Sequence, residues 1–274
     1  MRNTLCLILC SLVAFALGCQ KQEPTADDVV AMMTEAMGGA DTLASINDRV
    51  ETWQFTMYQM PPSMEGGEEM SGMEGEMAEG EMMGEGGMTM EMIVKCKRPN
   101  KLRFDFPSPM GTISTWYNGT NGWTNKGGQV KELTEPELQQ WEDMAATWMD
   151  GYRNYEEKGY TMELLGKEMV EDEECFVLQT TDMNGHVLKN YVSTKTHHLI
   201  RSSGEMLNME LEKEPMYMTL EDYKAVDGIT LAHDVAQYEE NGDMVWEAKL
   251  EKVEINAGVE DSIFQGPKSM TAKQ

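Results

Sequence analysis

Methionine is the side chain with the most chemistry to offer in this sequence, at 27 of 274 residues. Several crowd into one stretch, residues 63–87, that contains only Met, Glu, Gly, Ser and Ala. The thioethers of Met70, Met73, Met77, Met82 and Met83 are soft ligands that suit Cu(I). Glu65, Glu68, Glu69 and Glu74 among them would add affinity for hard cations. Exposed thioethers also scavenge oxidants by becoming sulfoxides. The plainer reading is a passive acidic loop, because Met is frequent along the whole chain. The residues alone leave these readings open.

Other reactive types are sparse. The histidines are His186, His197, His198 and His233. His197 and His198 adjoin in a strand-like run, which would point them to opposite faces and make them no metal pair. Cys96 and Cys175 each sit in a strand-like run. In an oxidising compartment they would either pair or stay two separate buried thiols. No Cys-x-x-Cys, Gly-x-Ser-x-Gly, His-Glu-x-x-His or phosphate-binding glycine loop occurs. No catalytic residue and no cofactor is therefore assigned, and binding rather than enzymatic turnover is expected.

One cysteine stands apart. Residues 1–18 have a short basic start at Arg2, an uncharged apolar run over 5–17 and a small residue, Gly18, before Cys19. That is the layout of a secretion signal, and the apolar run is short for a membrane span. Ala16-Leu17-Gly18-Cys19 resembles a bacterial lipobox, although Leu is usual at its first position and a small residue at its second. In that pathway the Cys19 thiol receives a diacylglyceryl group and the new amino terminus is acylated too. Each buried CH₂ contributes ~0.8 kcal/mol, so two or three chains hold a protein on a membrane where one would not. Ordinary secretion with cleavage near Cys19 is the alternative. Gln20 is not the Asp that retains lipoproteins at the inner membrane of enteric bacteria, so an outer-membrane lipoprotein facing the periplasm is expected. Residues 19–26 then form a polar tether.

The formal charge of −26 argues against nucleic acid and anionic headgroups as partners. Solubility is its plainest explanation, and the sequence is silent on oligomeric state.

The elements that would position a site are readable from periodicity. Thr25-Ala26-Asp27-Asp28 has the form of a capping box. Val29, Met33, Ala36, Ala40 and Leu43 follow at helical spacing, with Gly38-Gly39 weakening the helix partway. Residues 52–59 alternate, Trp53, Phe55 and Met57 on one face, as in a half-buried strand. Alternation resumes from Met88 to Cys96, so 63–87 is an insertion at a strand-to-strand turn. It lacks the branched and aromatic residues that a core needs and is expected to be disordered. Asn-Gly pairs at Asn118, Asn121, Asn184 and Asn241, and Asp227-Gly228, suit tight hairpin turns. They separate alternating runs, including 176–181 from 187–193 and 229–238 from 244–253. Successive hairpins make an antiparallel meander. Thr134-Glu135-Pro136-Glu137 opens one further helix, whose stripe is Leu138, Trp141, Ala145, Trp148 and Tyr152. That stripe either covers the sheet or puts its tryptophans into a ligand cavity.

The order of these parts, and several motifs, resemble the LolA-like proteins. Lys97-Arg98-Pro99-Asn100-Lys101-Leu102-Arg103 is similar to their K-x-P-x-K-x-R strand. Tyr117-Asn118-Gly119 through Gly122-Trp123 resembles their Y-D/N-G … G-W hairpin. Leu165-Gly166, the 175–178 run and Thr194-Lys195-Thr196 resemble their central hairpins. Val226-Asp227-Gly228-Ile229 resembles their late V-D-G-I turn, although Ala232-His233 stands where Pro is usual. The likeness covers roughly 27–264. It implies a mainly β (α+β) fold, a curved antiparallel sheet or half-open barrel covered by helices, with a helix between its third and later strands. One domain would span 27–266, with a flexible tail at 267–274. It implies binding of a lipid, or of the acyl chains of lipoproteins, in an apolar cavity, as in outer-membrane lipoprotein sorting. The Met-rich insertion and the acidity depart from the pattern.

An acyl chain wants a dry, concave, apolar surface. The inward strand faces and the aromatic helix would supply it through Trp53, Phe55, Met57, Met92, Val94, Phe104, Phe106, Ile113, Trp141, Trp148, Phe176, Leu178, Leu207, Met209, Met216 and Met218. Alternatively these residues fill the interior against one another.

Overall fold

The computed structural model describes residues 23–59, 87–107, 111–208 and 212–267. Cys19, the signal segment and positions 63–86 of the insertion lie outside them.

The first helix, α1 (Ala26–Ala36), starts at the expected box. The Asp28 amide donates to the Thr25 hydroxyl at 3.2 Å, and the Thr25 amide donates to the Asp28 carboxylate at 2.8 Å. Gly38 and Gly39, both at positive φ, separate α1 from α2 (Ala40–Ser45) instead of merely bending one helix. At Gly38 a Cβ would stand 2.4 Å from the carbonyl oxygen of Gly228, so only glycine fits this turn.

The strands that follow are β1 (Asp48–Met57), β2 (Met88–Lys97), β3 (Lys101–Phe106), β4 (Ile113–Tyr117), β5 (Gly122–Lys126) and β6 (Gln129–Glu132). The third helix is α3 (Glu135–Trp148), and its capping box is the expected one, with Glu137 accepting from the Thr134 amide at 2.6 Å. After it come β7 (Thr161–Val170), β8 (Glu173–Thr181), β9 (Val187–Ser193), β10 (Leu199–Leu207) and β11 (Lys213–Glu221). The last are β12 (Lys224–Val226), β13 (Ile229–Leu231), β14 (Asp234–Glu239) and β15 (Met244–Ile255).

One curved antiparallel sheet of 13 strands results, in the order β6-β5-β4-β3-β2-β1-β15-β14-β11-β10-β9-β8-β7. Its middle is the pairing of β1 with β15, which sets Phe55 opposite Ala248 and Met57 opposite Trp246. The helix α3 falls after the sixth strand, since Gly127-Gly128, both at positive φ, first turn β5 back into β6. One expectation needs correction. The run 229–238 is not one strand. It breaks at Ala232-His233, so that β13 pairs with β12 in a separate hairpin while β14 joins the main sheet.

Strand alternation gives the sheet an inner face, which the helices cover. On one half α1 packs Val29, Val30 and Met33 against Phe176, Leu178 and Val192 of β8 and β9. On the other, α2 and α3 set Leu43, Trp141 and Ala145 against Trp53, Val94, Leu102 and Leu250. Each fully buried Val, Leu or Met side chain stabilises the docked helix by about 1.5–3 kcal/mol. Across the outer face the chain returns in a short 3-10 turn, Asp261–Phe264. Phe264 is buried there, Arg103 Nη1 donates to the Ile263 carbonyl at 2.8 Å, and Gly266 packs so close to Trp123 that a Cβ would stand 2.4 Å from its ring.

Gly38→Ala is expected to lower stability by about 1–3 kcal/mol, since it meets both positive φ and the Gly228 carbonyl. Urea unfolding of the variant measures this; an unchanged midpoint would show that the turn gives way freely.

Candidate functional site

The two helix-covered halves of the inner face do not meet in the middle. Between them lies a cavity of about 1840 Å³. Drug-sized pockets commonly span ~300–1,000 Å³, so this one has room for more than one acyl chain. Its wall is mainly apolar and runs from α1 across the sheet to α3.

Most of the expected lining residues come together here: Trp53, Phe55 and Met57 of β1, Met92 of β2, Phe104 and Phe106 of β3, and Ile113 of β4. Trp141 and Trp148 of α3, Leu207 of β10 and Met218 of β11 also line the cavity. The α3 stripe therefore both covers the sheet and faces the cavity. Phe104 lies edge-on between its two tryptophans, with ring centroids 4.9 Å from Trp141 and 5.1 Å from Trp148. Such edge-to-face contacts add about 0.5–1.5 kcal/mol beyond burial and hold the rings at fixed angles. Phe55 packs on Trp246 of β15 at 5.5 Å.

Four residues expected on the wall stand elsewhere. Phe176 and Leu178 are covered by α1, and Val94 is wholly buried under the α2–α3 side of the sheet. Met216 is buried and its sulfur accepts from Gln237 Nε2 at 3.2 Å. Met209, Met70, Met73, Met77, Met82 and Met83 lie outside the described residues. The wall also takes in residues that the sequence reading did not assign to it, notably Met37, Met90, Trp246 and the pair Arg49 and Glu51.

That pair is the most deeply buried charge among the lining residues. Arg49 and Glu51 are 2% and 1% exposed. They form an ion pair through Arg49 Nε. Glu51 also accepts from Trp53 Nε1 at 2.8 Å and from Trp148 Nε1 at 3.2 Å. Arg49 Nη2 donates to the Trp148 carbonyl at 2.8 Å. The end of α3 is thus bonded to β1 by charged groups from both residues. Burial disfavours the charged guanidinium, but the charge and hydrogen bond of Glu51 outweigh it and hold Arg49 protonated.

Beyond the end of α3 a second buried carboxylate anchors the helix. Asp150 accepts from Arg98 Nη1 at 3.1 Å, Arg153 Nη2 at 2.9 Å and Lys158 Nζ at 2.6 Å. Burial pushes its carboxyl up, yet Lys158 and Arg98 more than reverse this and leave it below the ordinary value.

The remaining candidates for chemistry do not assemble. Cys96 and Cys175 are free and buried in different strands, so of the two readings the separate thiols hold. Burial pushes the Cys96 thiol up to about 12, which keeps it protonated and unreactive. His197 and His198 lie in the turn between β9 and β10, not in a strand, and both border the cavity. His198 stacks on Tyr223 with centroids 4.1 Å apart. Among the described residues no group of three or more His, Cys, Asp and Glu could hold a metal ion.

No protein-family profile and no curated protein matches this sequence. Solved structures do match the fold. A LolA superfamily protein from Nitrosomonas europaea aligns over 89% of this chain and 99% of its own, with a TM-score of 0.56 at 11% identity. A protein domain from Vibrio parahaemolyticus assigned to outer membrane lipoprotein sorting covers 86% and 95%, with a TM-score of 0.56 at 13% identity. A DUF1329 family protein from Desulfovibrio piger covers 87% and 96%, with a TM-score of 0.57 at 12% identity. The fold is LolA-like, as the sequence motifs implied.

Two outcomes follow from the buried charges. Glu51→Gln leaves Arg49 without its counter-ion and is expected to cost about 3–5 kcal/mol, measured by chemical denaturation. Asp150 titrates lower folded than unfolded, so its contribution is full above the unfolded value near 3.9 and is lost as pH falls through the lower folded value. Stability should decline below pH ~4, and Asp150→Asn should flatten that decline; an unaltered acid limb would show that Asp150 does not drive it.

Proposed function

We propose that this protein is a membrane-anchored lipoprotein of the bacterial envelope that binds a lipid, or the acyl chains of a lipoprotein, in the cavity between its sheet and helices. The cavity itself is the observation that carries the reading. It is large, mainly apolar, walled by aromatic rings and thioethers, and continuous across β1 and β15. Methionine adapts to irregular apolar ligands because it is unbranched and polarizable. Trp53, Trp141 and Trp148 give the wall rigid area around that adaptable lining.

The likeness in fold to a lipoprotein-sorting protein domain agrees with this reading. So does Ala16-Leu17-Gly18-Cys19, which would place two or three acyl chains on Cys19. Cys19 is the anchor proposed; no described helix is long and apolar enough to cross a membrane. An anchored protein of this kind does not diffuse between membranes. Its role is that of an acceptor or sensor at the outer membrane, facing the periplasm, rather than of a soluble shuttle.

Native mass spectrometry of a soluble Cys19→Ser form tests the binding. Co-purified or added acyl lipid should appear bound, with altered emission from the cavity tryptophans. A protein that stays lipid-free after incubation with phospholipid vesicles sinks the reading. Separately, intact-mass analysis of the membrane-extracted wild type should show acyl chains on Cys19, and Cys19→Ser should move to the soluble fraction.

A further inference from the structure

The cavity wall changes character toward the first edge of the sheet. Its floor there is apolar, with Phe104 and Phe106 of β3 and Ile113 of β4. Further out lie Thr124 and Lys126 of β5, then Gln129 and Lys131 of β6, all bordering the cavity. Register puts these four on one face. Thr124 stands opposite Lys131 and Lys126 opposite Gln129, and residues two apart on a strand point the same way. Lys126 and Lys131 are therefore diagonal neighbours, roughly 7 Å apart at Cβ. Both are exposed. Gln139 and Gln140, in the first half of α3, also border the cavity. The carboxylates nearest in the chain, Glu132, Glu135 and Glu137, do not. Glu132 stands opposite Trp123 on the other face, and Glu137 caps α3.

The other charges around the cavity stand apart from this rim. Arg49 and Glu51 neutralise each other. Lys213 stands opposite Leu207 and Glu205 opposite Pro215, so this lysine has a carboxylate as its diagonal neighbour. Asp143 accepts from Tyr160, and Asp182 accepts from the amides of Asn184 and His186, each at 2.8 Å. His197 and His198 occupy the turn between β9 and β10. Glu91 of β2 pairs with Gln54, on the face opposite to Phe55. The β5–β6 rim is thus where two cations stand side by side without a bordering carboxylate.

Cations beside an apolar floor match a molecule with acyl chains and an anionic head. The net charge of −26 repels an anionic membrane as a whole. Screening limits that repulsion to a Debye length of about 8 Å at physiological salt, so near the rim the two lysines govern.

We propose that Lys126 and Lys131, with the side-chain amides of Gln129, Gln139 and Gln140, form a headgroup subsite for the phosphate of an anionic two-chain phospholipid whose acyl chains lie on the Phe104–Phe106 floor. The inference rests on the cavity being a lipid site and names the class of lipid it takes.

Four probes test it on the soluble Cys19→Ser protein, each competing with a fluorescent lipid: dioleoylphosphatidylglycerol, dioleoylglycerol, a dioleoyl trimethylammonium lipid and inorganic phosphate. Phosphatidylglycerol should bind about tenfold more tightly than dioleoylglycerol in low salt, the scale of two lysines acting on one headgroup, and the gap should close in high salt. Lys126→Gln/Lys131→Gln should bring phosphatidylglycerol down to the affinity of dioleoylglycerol, whereas Lys126→Arg/Lys131→Arg should keep the preference. Lys189→Gln/Lys249→Gln, which removes the same charge away from the cavity, should keep it too. Circular dichroism checks folding; should the first variant not fold, the order of the probes and its salt dependence decide. Equal affinity for phosphatidylglycerol and dioleoylglycerol overturns the subsite and leaves the cavity reading standing. So does a preference that survives Lys126→Gln/Lys131→Gln, or tighter binding of the trimethylammonium lipid. Inorganic phosphate that displaces phosphatidylglycerol at comparable affinity assigns the rim to the free ion and overturns the lipid subsite. Failure of every lipid to bind overturns both readings.

Discussion

A charged pair in an apolar wall holds this structure in its present form. Arg49 and Glu51 would be expensive to bury separately, and together they remain viable only while Trp53, Trp148 and the Trp148 carbonyl complete their hydrogen bonds. The geometry of that network sets where the end of α3 sits over β1. A purely apolar contact could slide or collapse inward, whereas a network of directional bonds between charged groups has one low-energy position. Asp150 with its three cations fixes the chain just beyond. The height of the helix above the sheet, and so the volume beneath it, depends on these bonds.

A sheet of 13 strands offers more inner face than three short helices can cover. Packing resolves this by dividing the face. α1 seals one half with Val29, Val30 and Met33, α2 and α3 seal the other with Leu43, Ala145 and tryptophans, and the strip between stays open. Large rings locked edge to face, as Phe104 is between Trp141 and Trp148, resist folding into the gap. The cavity is thus a consequence of rigid groups on a curved support rather than of missing ones.

Much of the support was readable from the chain. Both capping boxes, the alternation of β1, β2, β8, β9 and β15, and the turns at Asn118-Gly119, Asn184-Gly185, Asp227-Gly228 and Asn241-Gly242 correspond to observed elements, whereas Asn121-Gly122 opens β5. The misses have physical causes. The strand β6, behind Gly127-Gly128, is only four residues long, too short to show alternation. The polar pair is not legible as part of the wall because the apolar alternation begins only at Trp53, whereas the strand begins at Asp48. Continuing the same period of two backward from Trp53 reaches Glu51 and Arg49. Alternation identifies an inner face, but it says nothing about which stretch a helix will cover. For that reason Phe176 and Leu178 have the pattern of wall residues and are core residues instead.

The central seam of the sheet joins its earliest strand to its latest, with Arg49 opposite Ile255. Strands β1 to β6 can zip together as each hairpin emerges, but one edge of β1 has no partner until β15 exists. Contacts so far apart in sequence are slow to form, because a long loop must close first. Trp53 and Phe55 lie on one side of that seam, Trp246 and Ala248 on the other, and all four border the same space. The chamber's wall therefore needs both ends of the described chain: no fragment that stops short of β15 carries both sides of it.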